Sequence, residues 1–225
     1  MTKSSAVTSR RATADWATAL PGFDVWRPLH LLRRIGPVMQ GVCLDRSTSG
    51  DGYTPTAHVH ALTREFPAIS LMLPQRLVRS SGQPETILFS RHEDEFQAAV
   101  DRLKQQSQLS LGAPPSVEAI VRQYHSASLE AKSAGLPPTV LEMEDSVLIA
   151  AAVGRVDLVE EGLQLARELA GIWPKARLPF DWEGSEAWIE SLAAKAADRD
   201  SLTAVIDGQI SHHKLGKIRE VGTGE

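Results

Sequence analysis

His58-Val-His60 is the pair of residues whose type and spacing come closest to chemistry, because side chains two apart on an extended strand project to the same face and can share a metal ion or one phosphate. Two imidazoles hold a metal only weakly, so a working site needs a third ligand. Asp45 and Asp51, in and before the loop that leads into this strand, are the candidate carboxylates, and His30 and His92 are more distant candidates. The chemistry of such a set is metal-dependent hydrolysis of a phosphodiester or ester.

The surrounding residues do not complete a known version of that site. A histidine-triad nucleotide hydrolase has a third alternate histidine where this chain has Leu62. Metallo-hydrolases of the His-x-His-x-Asp-His type have an aspartate and a histidine where this chain has Leu62 and Thr63. His92-Glu-Asp-Glu-Phe96 opens like a zinc-protease helix, yet Phe96 stands where the second histidine belongs, so the run reads as the acidic first turn of a helix. Gly50-Asp-Gly52 precedes neither Gly-Lys-Ser/Thr nor a helix, which leaves it as a turn. Cys43 lies mid-strand and reads as a small core residue, while Ser110, Ser116 and Ser185 lack the Gly-x-Ser-x-Gly setting of a hydrolase nucleophile. The expectation is therefore that His58 and His60 are polar residues on the solvated face of a half-buried strand, with no metal and no cofactor.

The strands that must carry the pair lie between Leu31 and Phe89. Val38 to Leu44 is a β-prone run apolar on both faces, and Thr54 to Leu62 alternates Ala57, Val59 and Ala61 against Thr56, His58 and His60. Arg46 to Tyr53 between them is rich in turn formers. Ile69 to Leu73 and Thr86 to Phe89 are further short strands. Their connections are too short for parallel crossovers, so three or four antiparallel strands are expected. Before them, residues 1–14 are small, polar and basic and read as a disordered tail. Asp15 to Leu20 reads as a helical turn, and Trp26 to Ile35 as a short helix from the spacing of Leu29, Leu32 and Ile35, with a strand the close alternative.

From Arg91 the period changes to helical. Helices are expected over about Glu93 to Gln106, from a Ser116 cap to Gly135, over Glu144 to Val153 as the most buried one, over Asp157 to Ala170, and after caps at Ser185 and Asp200, with a frayed basic end from His212. Strands first and helices later is the α+β pattern. The expected layout is a tail over 1–14 and a single domain over 15–225, with its sheet in 31–90 and its helices in 91–213.

Ala150-Ala-Ala-Val-Gly154-Arg-Val-Asp157-Leu-Val-Glu-Glu-Gly-Leu163 resembles the inner helix, glycine turn and second helix of an ankyrin repeat, over about half a repeat. That family's Thr-Pro-Leu-His is replaced here by Asp145-Ser-Val-Leu148, and nothing recurs at the expected period. A helical hairpin turning at Gly154 is the reading that remains.

The chain has 225 residues, 24 basic and 28 acidic, for a net charge of −4, so no global basic field draws it to nucleic acid or an anionic membrane. No run reaches membrane-spanning length and one cysteine cannot form an internal disulfide, which points to the cytoplasm. Arginine outnumbers lysine 17 to 7 and asparagine is absent, a bias suggestive of a GC-rich bacterium. Leu141 to Asp200 holds 13 acidic and 6 basic residues, a balance of −7. That acidic half, with Trp173, Phe180, Trp182 and Trp188 as aromatic anchors, is the expected surface for a protein partner such as a basic toxin or nuclease. A non-catalytic, immunity-type or regulatory inhibitor is the functional expectation, and a metal-dependent hydrolase using His58 and His60 is the alternative.

Overall fold

The computed structural model describes residues 8–137, 139–173 and 182–222. Its architecture is α+β, an N-terminal antiparallel sheet followed by a helical half. The order is α1 (Ser9–Ala19), β1 (Asp24–Arg27), β2 (His30–Ile35), β3 (Val38–Arg46), β4 (Gly52–Ala61), β5 (Met72–Arg76), β6 (Ile87–Leu88), α2 (His92–Gln106), α3 (Val117–Ser133), α4 (Val140–Ala152), α5 (Val156–Ala170), α6 (Ser185–Ala197) and α7 (Arg199–His212). Strands run β1-β2-β3-β4-β5 in space, with β6 also on β4, and every pairing is antiparallel. Among the described residues six strands stand where three or four are expected.

The segment from Trp26 to Ile35 is strand rather than helix. The chain reverses at Leu29, which takes φ 64, and Leu31, Arg33 and Ile35 form one buried face of β2, with Leu32 buried on the other. Arg33 disguised that alternation, since a guanidinium is not expected in a core. It is fully buried because Gln40 Oε1 accepts from Nε at 2.9 Å and from Nη2 at 2.7 Å, while the carbonyls of Ser110, Gly112 and Ala113 accept at 2.7, 2.8 and 3.2 Å. Burial lowers its pKa to about 10. The same bonds fasten the 110–113 connection to the sheet.

Both faces of the sheet are covered. On one, Leu31, Val42, Leu44, Tyr53 and Ala57 pack with Trp16 of α1 and Ala99, Val100 and Leu103 of α2. Further along that face, Ile35, Val38, Val59 and Ala61 meet Ile120, Val121 and Tyr124 of α3 and Ile149 and Ala150 of α4. On the other, Trp26, Leu32, Met39 and Leu62 meet Leu215 and Ile218, with Ile206 and Ile210 of α7 beside them. The basic end expected to fray is therefore packed down, and Glu220 bridges Arg34 on β2.

The N-terminal expectation is corrected as well. Thr8 caps α1 by accepting from Arg11 N, Ala12 and Trp16 are fully buried, and Trp16 Nε1 donates to Tyr53 Oη at 3.0 Å. Residues 8–14 thus belong to a docked helix, because Trp16 offers more apolar surface than its isolated place in the sequence suggested. In the helical half, α4 is the buried centre, with every residue from Asp145 to Ala151 inside. Gly154, at φ 75, turns it into α5 as the hairpin reading required.

Candidate functional site

β4 sends His58 and His60 to the face covered by the C-terminal segment, so both are buried, at 2% and 1% exposure, rather than solvated as expected. Their strand is not an edge. The α7 end, the 66–70 segment and residues 213–218 close over it. His58 lies opposite Gly41 on β3, where a Cβ would stand 2.6 Å from His58 Cε1 and 2.7 Å from Leu32 Cδ2. The missing side chain is a window through which His58 crosses β3 and sets its Nε2 2.8 Å from His30 Nε2 on β2. His60 turns elsewhere, with Nδ1 2.8 Å from Ser70 Oγ and 3.1 Å from Ser70 N, and its ring stands edge-on to His213 at 5.5 Å. Trp26 closes the row, edge-on to His30 and donating Nε1 to His213 O at 3.0 Å.

The result is a row of four imidazoles, with His58, His60 and His213 buried and His30 half-buried. The charges acting on them belong to other imidazoles, Arg27 and Arg64, all cations or potential cations. Burial, reinforced by these neighbours, lowers His30 to about 4, His60 to about 3 and His58 well below the ordinary value. At neutral pH all three are uncharged. His60 Nε2 has no hydrogen-bond partner among the described residues.

Asp45 and Asp51 do not join them. Asp45 pairs with Thr54, four residues along β3 from the Gly41–His58 position, a separation of about 13 Å. It is exposed and faces Arg76 at 3.8 Å. Asp51 is exposed in the β3–β4 turn, accepting from Ser47 and Ser49. Among the described residues no group of three or more His, Cys, Asp or Glu side chains is arranged to hold a metal ion. Cys43 is half-buried beside Asp45, and burial raises its thiol to about 11.

His92 occupies a different network on the opposite face. Its Nδ1 is 2.7 Å from Tyr53 Oη and its Nε2 3.1 Å from Asp15 Oδ2, with Phe96 stacked on the ring. This Asp-His-Tyr chain pins α1 to the sheet, and burial raises the Tyr53 phenol. Residues 15, 53 and 92 share no local sequence pattern that announces the link.

The aromatic candidates divide. Trp173, Trp182 and Trp188 form one cluster, with centroids 5.4, 5.1 and 6.0 Å apart, packed against Met143, Leu169 and Ile189. Trp173 is buried, whereas Trp182 and Trp188 are half-buried, and Trp188 Nε1 donates to Glu144 at 3.0 Å. Phe180 lies outside the described residues.

Trp182 and Trp188 line a cleft of about 360 Å³ with Val140, Glu144 and Glu183, and larger concave surface lies along α7. One cleft of about 740 Å³ runs between Phe66 and Pro67 on one wall and Ala204, Val205, Gly208 and His212 on the other. A second, of about 460 Å³, continues it beneath Thr63, Glu65, Glu144, Leu148 and Lys195, sharing Glu65, Ser201 and Val205 with the first. Neither was marked by a sequence motif. The signal was the run of small residues on one side of a helix, Ser201, Ala204 and Gly208. Comparison of the chain with protein-family models, curated proteins and solved structures finds no match.

Proposed function

We propose that the chain is a non-catalytic, cytoplasmic binding protein whose acidic helical half docks a basic surface of another protein, in the manner of an immunity-type or regulatory inhibitor of a toxin or nuclease. The observation that carries the reading is a field of exposed carboxylates, Glu160, Glu168, Glu183, Glu186, Glu190 and Asp200, none with an ion-pair partner among the described residues. Unpaired exposed charges of one sign steer a complementary partner and raise its association rate. Two further features support it. The histidines best suited to catalysis are built into the core, and no described helix is long and apolar enough to cross a membrane.

The test is calorimetric titration of the chain with the purified product of each neighbouring gene, at about 50 and 200 mM salt, since screening weakens exposed charge pairs over this range. A saturable 1:1 complex that weakens with salt and is lost in Glu183→Lys/Glu186→Lys/Glu190→Lys supports the reading. Hydrolysis of a phosphodiester or ester by the chain alone, abolished in folded His58→Ala and His60→Ala proteins, would replace it with the metal-hydrolase alternative.

A further inference from the structure

We infer that the groove along α7 is the docking site for one amphipathic, basic helix of a protein partner, an assignment that rests on the basic-partner reading above and gives it a location. Gly208 supplies the first reason. It sits inside α7, where glycine is less stable than alanine, and a Cβ added there would meet nothing within 4 Å. The chain's own packing therefore does not require glycine at this position. With Ser201 and Ala204 it makes a shallow track one helical side wide, which lets a second backbone approach closely.

Thr63 supplies the second. It lines the narrower end of the groove, is 2% exposed, and its hydroxyl has no hydrogen-bond partner among the described residues. A buried hydroxyl left unpaired is unfavourable unless a partner completes it.

Charge sets what the occupant must carry at that end. The wall holds Glu65, Glu144 and Asp198 against Lys195, and the positive charge of Arg64 is matched by buried Asp145, whose Oδ1 is 2.6 Å from Arg64 Nε. Carboxylates remain in excess above an apolar floor of Leu148, Leu202 and Val205. That combination suits the aliphatic stem and cationic head of an arginine or lysine. The other end, with Phe66, Pro67, Gly208 and His212, suits an apolar side chain. From Ser201 to Gly208 is two turns, about 10 Å. The partner helix should therefore present a basic residue and a large apolar residue seven apart on one face.

The experiment uses a 14-residue helical peptide with Arg at position 4 and Leu at position 11, titrated into the full chain by fluorescence anisotropy. Controls are Arg→Glu, Leu→Glu and a version with the pair five apart. The inference expects the Arg/Leu peptide to bind at least tenfold more tightly than each control and to lose at least tenfold in Ala204→Arg and Glu65→Lys proteins. Glu93→Lys/Asp94→Lys, exposed on α2 and outside the carboxylate field, should stay within about threefold. Gly208→Ala separates a merely structural glycine from a docking one. The inference expects a higher Tm in the free protein together with affinity at least fivefold lower, and a higher Tm with unchanged affinity would overturn it. Binding lost in Glu183→Lys/Glu186→Lys/Glu190→Lys and kept in Ala204→Arg would overturn this location while leaving the basic-partner reading in place. No binding of any basic peptide at low salt would remove both.

Discussion

Acidification from pH 7 to pH 5 should destabilise this protein far more than its carboxylates account for, because His30, His58 and His60 are uncharged when folded. In the unfolded chain each histidine titrates near its ordinary value of about 6.5. In the folded protein His30 and His60 titrate at about 4 and 3, and His58 well below the ordinary value. A folded value lowered below the unfolded one gives stability that is complete above about pH 6.5 and lost as pH falls toward the folded value. In that window the unfolded chain binds protons that the folded one refuses, at about 1.4 kcal/mol per pH unit for each residue. His30 and His60 together lose about 4 kcal/mol between pH 7 and 5, and His58 adds to the loss, against the roughly 5 to 15 kcal/mol that holds a typical domain. Urea unfolding followed by tryptophan fluorescence at pH 7, 6 and 5 reads this directly. His60→Gln should flatten the slope by about one residue's share, whatever its own cost at pH 7. Stability unchanged between pH 7 and 5, or a slope that survives replacement of both His58 and His60, would refute the account of the cluster.

Gly41→Ala should destabilise by about 1 to 3 kcal/mol, since the new methyl occupies the path of His58, and the His30–His58 contact should be lost in NMR spectra of the imidazoles. Trp16→Ala should cost about 3 to 5 kcal/mol, and deletion of residues 1–13 should lower the Tm, in contrast to a disposable tail. Leu148→Ala should cost about 2 to 5 kcal/mol, measured by chemical unfolding. Cys43 should react slowly with a thiol reagent at pH 8 and rapidly once unfolded, because its raised pKa leaves little thiolate.

The helices were legible because their signals are local. Ser116 caps α3 by accepting from Ala119 N, the acidic first turn of α2 lies where its period begins, and Gly154 turns α4 into α5. The β-meander was legible wherever apolar and polar residues alternated plainly, as in β4. It was misread at β2, where the buried polar residue Arg33 broke the alternation and depends on carbonyls 77 to 80 residues away. The docking of α1 was hidden for the same reason, since Trp16 and Asp15 find Tyr53 and His92 only after the chain folds. His58 and His60 were placed on the correct common face, but the element that covers that face arrives from residues 213–218. Their burial followed from tertiary order, as did the divergence of the two rings through the gap at Gly41.

The central claim is that this chain works by docking a basic helix rather than by catalysis at its histidines, and methyl NMR of the full protein titrated with the Arg/Leu peptide tests it most directly. The account predicts salt-sensitive, saturable shifts at Ala204, Val205, Leu148 and Leu202 along α7 and its neighbour α4. Residues around His30, His58 and His60 should stay still. Shifts confined to the histidine face, or none at low salt, would contradict it.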